Sequence, residues 1–168
     1  AQTGWSGTDA AEAARDGARV LVIRNTVDRA RDTWSAIFAK APQLLFSVNG
    51  VPTLHHSRFA AEDRELLDAQ VERVLGHASP ADACIVVGTQ TLEQSLDVDT
   101  DYLITDLCPM DVLLQRIGRL HRHDRERPAG FENARALVLT PPDGLDPLTR
   151  GPENGLGGSH AAPQPPAP

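Results

Sequence analysis

Little in this 168-residue chain would staple or anchor it. Cys84 and Cys108 are its two cysteines, too few for a framework of cross-links, which excludes an exported disulfide scaffold. No apolar run approaches the ~20 residues that span a bilayer, and the first residues lack the pattern of a signal peptide. Positive charge is also scarce: Lys+Arg number 16 against 23 Asp+Glu, a formal net charge of −7. Phosphate affinity rests on neutralising Lys and Arg, so this balance argues against a free-standing domain that grips nucleic acid by bulk charge, while leaving room for a local basic face. The sole lysine, Lys40, follows Phe38-Ala39, so no G-x-x-x-x-G-K-[ST] phosphate loop is present. The only methionine is Met110 and the first residue is Ala1; we expect a piece of a longer protein.

What is present is globular. Apolar residues make up 40% and charged residues 23%, enough to build one domain with a real core. Residues 1–17 are small and polar, with helical character over Asp9–Asp16; we expect a linker or helix there. Residues 18–144 form the expected domain. Residues 145–168 are Pro/Gly-rich with few large apolar groups to offset ordering entropy, and are expected to be a disordered tail.

Between these ends, apolar β-branched runs alternate with helical periodicity. Ala18–Arg24, Leu44–Val48, Thr53–Ser57, Ala83–Gly88, Tyr102–Leu107 and Ala134–Thr140 read as strands. Thr26–Lys40, Ala60–Leu75 and Met110–Arg122 read as helices, with Asn25 a cap, Asn49-Gly50 a turn and Gly76 a stop. The expectation is an α/β fold: a mostly parallel sheet covered by helices on both faces, in three layers. Working residues in such sheets sit beyond the carboxyl ends of the strands, which draws attention to Asn25-Thr26, Thr89-Gln90 and Asp106–Asp111.

The segment Asp111–His123 carries the strongest local signal. Wound as a helix at about 100° per residue, it places Gln115, Arg119 and Arg122 within about 60° of arc, opposite Leu113, Ile117 and Leu120. Arg116 falls between the two sides. Gly118 borders the polar side, where a helical glycine costs about 1 kcal/mol against alanine, a hint of close approach to the backbone. A guanidinium is a planar fork of donors that keeps its proton, which suits phosphate oxygens.

These residues resemble a family. Gln115-Arg116-Ile117-Gly118-Arg119-Leu120-His121-Arg122 resembles motif VI of superfamily 2 helicases, Q-R-x-G-R-x-x-R. Thr89–Asp99 resembles motif V, Val20–Ala30 motif IV, and His55–Phe59 motif IVa. The ordered set, over about residues 18–140, is similar to the CRISPR-associated helicase–nuclease of type I interference systems. The resemblance implies the second of two RecA-like domains, with a phosphate loop and metal-binding acids expected from the first; no D-E-A-H-type box lies in this chain.

The resemblance also implies roles. Arg119 and Arg122 would be fingers reaching the γ-phosphate, with Gln115 beside the phosphates or the attacking water. Asp97 would hold the ribose, and Arg116 and Gly118 would border the nucleotide. Asn25, Thr26, His56, Ser57, Arg58, Thr89 and Gln90 would touch the nucleic-acid backbone, and Glu93 and Ser95 would couple it to the nucleotide cleft. The implied cofactor is ATP with Mg, and the implied partners are the first RecA-like domain, single-stranded DNA and the CRISPR RNA-guided surveillance complex. No membrane is implied, the expected place is the cytoplasm, and the chain alone is expected to be inactive. No metal ligands are expected here; His123-Asp124 is a chance dipeptide. Trp5, Trp34 and Tyr102 are too scattered to suggest a stacking platform, and Trp34 reads as core. Two alternatives stay open: another superfamily 2 helicase acting on DNA or RNA, and a non-catalytic binding fragment.

Overall fold

A computed structural model describes residues 7–57, 59–77, 79, 83–93, 96–140 and 144. The expected tail, residues 145–168, lies outside them. The main sheet has four strands: β1 (Arg19–Ile23), β4 (Cys84–Gly88), β5 (Tyr102–Asp106) and β6 (Arg135–Leu139). Their order is β4-β1-β5-β6 and every pairing is parallel. Each β1 side chain is buried, and alternate residues face opposite layers. Val20 and Val22 join Ala10, Ala13, Ala14 and Ile37, from α1 (Thr8–Arg15) and α2 (Val27–Phe38). Leu21 and Ile23 join Leu67, Val71 and Leu75 of α3 (Ala61–Leu75) on the other face. This is the expected three-layer arrangement. α1 is therefore part of the core, packed through its alanines.

Local chemistry sets the ends of the elements. Thr26, not Asn25, caps α2, its hydroxyl accepting the Arg29 N–H at 3.3 Å. β2 (Ser47–Val48) and β3 (Val51–Pro52) form a small antiparallel hairpin around Asn49-Gly50. Both turn residues have positive φ, 52° and 78°, as the tightest hairpins require. The two further strands expected over Leu44–Val48 and Thr53–Ser57 do not form as such. Pro42–Leu44 is a 3₁₀ turn, and Pro52 has no N–H for a ladder. These segments instead touch the outer edge of β4 at single points, Leu45 beside Ile85 and His55 beside Gly88.

The helix that follows β5 is shorter than expected. α4 spans Met110–Ile117, with Gly118 as its cap. Beyond it the chain is captured by the sheet: Leu120 bridges Thr100, Thr100 N–H donates to Arg119 O, and His121 N–H donates to Thr100 O. His121 takes a φ of 46° to turn there. The single helical face combining Gln115, Arg119 and Arg122 therefore does not exist, because ladder bonds to Thr100 replace the last helical turn.

Candidate functional site

α4 starts beyond the carboxyl end of β5 and runs back toward its amino end. The 3₁₀ turn Gln90–Glu93 that follows β4, and Leu96, lie beside it. Two arginines one turn apart join them. Arg116 is buried, with Nε 2.7 Å and Nη2 2.6 Å from Glu93 Oε1. Its Nη1 donates to Thr105 Oγ1 at 2.6 Å and to Asp106 O at 3.3 Å, and its Nη2 to Asn25 Oδ1 at 3.0 Å. Arg119, also buried, donates to the carbonyls of Leu96 and Glu93. The Arg116 guanidinium is thus committed to protein acceptors in this structure. Arg119 likewise points inward, onto the Leu96 and Glu93 carbonyls, and not outward as the helical spacing predicts.

The third arginine differs. Arg122 is 42% exposed and lies 3.0 Å from Asp97 Oδ1, itself 53% exposed. His123 Nε2 also approaches Asp97 Oδ1, at 2.9 Å. Gln115 is exposed on α4, whereas Arg119 is buried. Gly118 is exposed at the helix end, where an added Cβ would meet the Gln115 and Leu114 carbonyls at an ordinary 3.4 Å; no close approach within the chain calls for glycine.

A cluster that the sequence does not announce holds the Arg122 loop. Asp99 and Asp101 are fully buried, paired with Arg125 (2.6 and 2.8 Å) and Arg127 (3.0 and 3.1 Å). Asp99 also accepts the Arg122 N–H at 2.8 Å. Burial works to raise the Asp99 pKa, but hydrogen bonds and charge from Arg127 and Arg125 outweigh it and hold the carboxyl below its usual range. Opposite charges 26 positions apart carry no local pattern, so only the fold reveals them.

At the carboxyl ends of β1 and β4 sits the second group of residues. Asn25 is buried: its Oδ1 serves Arg116, its Nδ2 donates to Leu107 O at 2.8 Å, and its N–H donates to Asp106 Oδ2 at 2.8 Å. Its amide therefore does not face outward as expected of a phosphate contact. Asp106 also takes Arg24 Nε at 3.1 Å, and Arg24 continues to Thr33 Oγ1 at 2.6 Å. Gln90, exposed, donates to Asn25 O at 3.1 Å. Thr89 is buried, with a hydroxyl that has no hydrogen-bond partner among the described residues. Ser57 is exposed, and Thr26 and His56 are half-buried. Arg58 and Ser95 lie outside the described residues.

His55 shows how this end is held. Its Nε2 lies 2.6 Å from Asp68 Oδ1 and its Nδ1 2.8 Å from Thr91 Oγ1. The carboxylate beside it favours the charged ring, but complete burial dominates and lowers the pKa. A carboxylate oxygen only accepts, so Nε2 carries a proton and donates to Asp68. Cys84 and Cys108 are free thiols; burial raises both pKa values, that of Cys84 to about 12.

No set of His, Cys, Asp and Glu among the described residues is grouped to hold a metal ion, and none of the helices described is long and apolar enough to cross a membrane. An exposed guanidinium beside an exposed carboxylate fits the phosphate and ribose parts of a nucleotide, as one wall of a site only.

Residues 16–125 match the family model described as CRISPR-associated nuclease/helicase Cas3, C-terminal. The chain is 43% identical over 134 residues to the CRISPR-associated endonuclease/helicase Cas3 of Escherichia coli, covering 77% of this chain and 14% of that protein. Against the Thermus thermophilus protein of the same name, identity is 48% over 91 residues, covering 54% of this chain and 10% of that one. The crystal structure of T. fusca Cas3-AMPPNP superposes with a TM-score of 0.69 at 29% identity, covering 80% of this chain and 15% of that chain. The fold is that of a helicase RecA-like domain, and the chain spans only about a tenth to a seventh of the relatives named here. On the match over residues 16–125, this chain belongs to the Cas3 C-terminal helicase family.

Proposed function

We propose that this chain is the second RecA-like domain of an ATP-driven helicase that moves along single-stranded DNA in CRISPR interference. The observation that carries this reading is the hydrogen-bonded line between its two groups of residues. Gln90 bonds Asn25, Asn25 bonds Arg116, Arg116 bonds Glu93, and Arg119 bonds Glu93 and Leu96, next to the Asp97–Arg122 pair. A change at the strand end that grips nucleic acid is thereby tied to the edge that meets nucleotide.

In this reading Arg122 is the phosphate-facing guanidinium and Asp97 the ribose partner. They neutralise each other until a nucleotide separates them. Gln115 borders the same edge. Arg116, Glu93 and Arg119 are positioning residues; Ser95 shares the coupling segment, and Gly118 lets the chain leave α4. Thr26, Ser57, Arg58, Thr89, Gln90 and His56 grip the backbone of the strand, and Asn25 positions Gln90. Contacts of this kind position a nucleic acid without reading its sequence.

When bound, ATP with Mg supplies the phosphoryl-transfer chemistry. The phosphate loop and metal-binding acids come from the first RecA-like domain, so the chain alone is inactive. The partners are that domain, single-stranded DNA and the RNA-guided surveillance complex, in the cytoplasm.

The test is ATP hydrolysis by the complete helicase and by this chain alone, each with DNA and with RNA strands. The expected result is DNA-stimulated turnover by the complete protein, its loss in Arg122→Ala, and none by the chain alone. Turnover by the chain alone would sink the reading. Stronger stimulation by RNA would replace the substrate.

A further inference from the structure

Beside the strand-end residues lies a cavity of about 350 Å³. Arg31, Trp34 and Ser35 of α2 form one wall; Pro52, Thr53, Leu54, His56 and Phe59 form the other. It lies within the size range of pockets that hold small organic ligands. Its walls carry two stacked ring pairs: Trp34 on Phe38, with centroids 4.9 Å apart at 18°, and His56 on Phe59, 4.4 Å apart at 12°. Arg31 adds an exposed cation, and Ser35 and Thr53 add hydroxyls. No carboxylate side chain is among the described lining residues.

Such a wall is rich in π-faces and hydrogen-bond donors. It suits a flat ring with ring-nitrogen and carbonyl acceptors, joined to an anionic chain. The cavity is also placed to receive one. His56 is one residue from Ser57 and follows His55, whose N–H donates to Val87 O at 3.0 Å and whose carbonyl accepts from Thr89 N–H at 3.2 Å. Arg31 and Trp34 lie one and two turns beyond Thr26, the cap of α2. The cavity therefore opens next to the backbone-gripping residues.

We infer that this cavity takes one nucleobase turned out of the bound single strand, held against the Trp34 and His56–Phe59 walls with Arg31 at its rim. The inference rests on the nucleic-acid reading above and adds to it. Backbone contacts hold the strand in any sequence, while the cavity gives each step a place to seat a base. Stacking on aromatic side chains tolerates every base, since each has a π-face, so the device does not demand sequence specificity.

The experiment uses the full chain with Trp5→Phe, which leaves Trp34 as its only tryptophan. Three probes are added in turn: a single-stranded oligodeoxyadenylate, an abasic strand of equal length, and deoxyadenosine monophosphate at millimolar concentration. Binding of the strands is followed by anisotropy of an end label, and occupancy of the cavity by Trp34 emission. The expected result is quenching by oligodeoxyadenylate and by the mononucleotide, none by the abasic strand, and roughly 5- to 150-fold weaker affinity, read from the quenching titration, in Arg31→Ala or His56→Ala, about the effect of one stacked base. If either strand binds while Trp34 emission is unmoved by all three probes, the cavity proposal is overturned and the backbone reading survives. Equal quenching by the base-bearing and abasic strands overturns it as well. If the mononucleotide quenches Trp34 but neither strand binds, the base site stands and the backbone grip fails. No response to any probe overturns both.

Discussion

Two guanidinium nitrogens of Arg116 converge on a single oxygen of Glu93, at 2.7 and 2.6 Å, with side-chain exposures of 1% and 8%. The pair sits between the two halves of the proposed site. Neither group can be removed alone without leaving a charge away from water. Glu93→Ala and Arg116→Ala should each cost about 3–5 kcal/mol, read from the midpoint of urea unfolding. The double variant should lose less than the sum, because one lost pair is counted twice in the singles. Strict additivity would show that the pair is not coupled.

Arg122 should behave in the opposite way. Its pairing with Asp97 is solvent-exposed, a class of contact worth about 0–1 kcal/mol. Arg122→Ala should leave the unfolding midpoint of this chain nearly unchanged. In the complete helicase the same change should lower the ATP turnover number by about 10³-fold or more, the scale typical of removing a phosphate-facing arginine. A large loss of stability with intact turnover would make Arg122 a structural residue.

Acid should weaken the fold in two stages. His55 and His121 have lowered pKa values, chiefly through burial, so the unfolded chain takes up their protons first. Their contribution is complete above the unfolded value of about 6.5 and is lost as pH falls below it. Asp99 also has a lowered pKa, so its contribution is complete above about 3.9 and is lost in stronger acid. Urea midpoints should therefore decline as pH falls through about 6.5 and again in acid below about 3.9. His55→Gln with His121→Asn should flatten the first decline and leave the second, asparagine being tolerant of the positive φ at 121. An unchanged slope across the first of these windows would refute the assignment.

Gly88 ends β4 where His55 and Leu92 close over it. An added Cβ would lie 2.5 Å from His55 O and 2.5 Å from Leu92 Cδ1. Gly88→Ala should destabilise the chain by about 1–3 kcal/mol through overpacking. It should also weaken strand binding, since His55 positions both His56 and Thr89. Calorimetry and anisotropy on the same variant test both outcomes.

The layered fold was legible because β1 and β4 are apolar on both faces and α2 and α3 carry clear stripes. Leu66, counted in the α3 stripe, is 51% exposed, since the buried line runs through Leu67, Val71 and Leu75. The site was legible only in part. Helical spacing put Gln115, Arg119 and Arg122 on one face, but bonds to Thr100, a tertiary partner, end the helix at Ile117. The same spacing treated Leu113 and Ile117 as an anchor, yet Met110, Leu114 and Ile117 are 68%, 59% and 39% exposed, and Arg116 is the residue turned inward. A guanidinium with carboxylate, hydroxyl and amide acceptors waiting can be interior, and no local pattern reports those acceptors. Trp34 read as core and does pack, half-buried, against the main cluster; the cavity wall it also forms was not legible, because Phe59 and His56 are distant in sequence.

The central position of β1 has a consequence for how the chain reaches this state. Its neighbours are β4 and β5, and the link between Asn25 and Arg116 spans 91 positions. Every strand pair of the main sheet is parallel, so no local hairpin can seed it. Long stretches of polypeptide must close before any ladder bond forms. Refolding after dilution from denaturant should accordingly be slow for a molecule of this size, on the scale of non-local topologies rather than helical bundles.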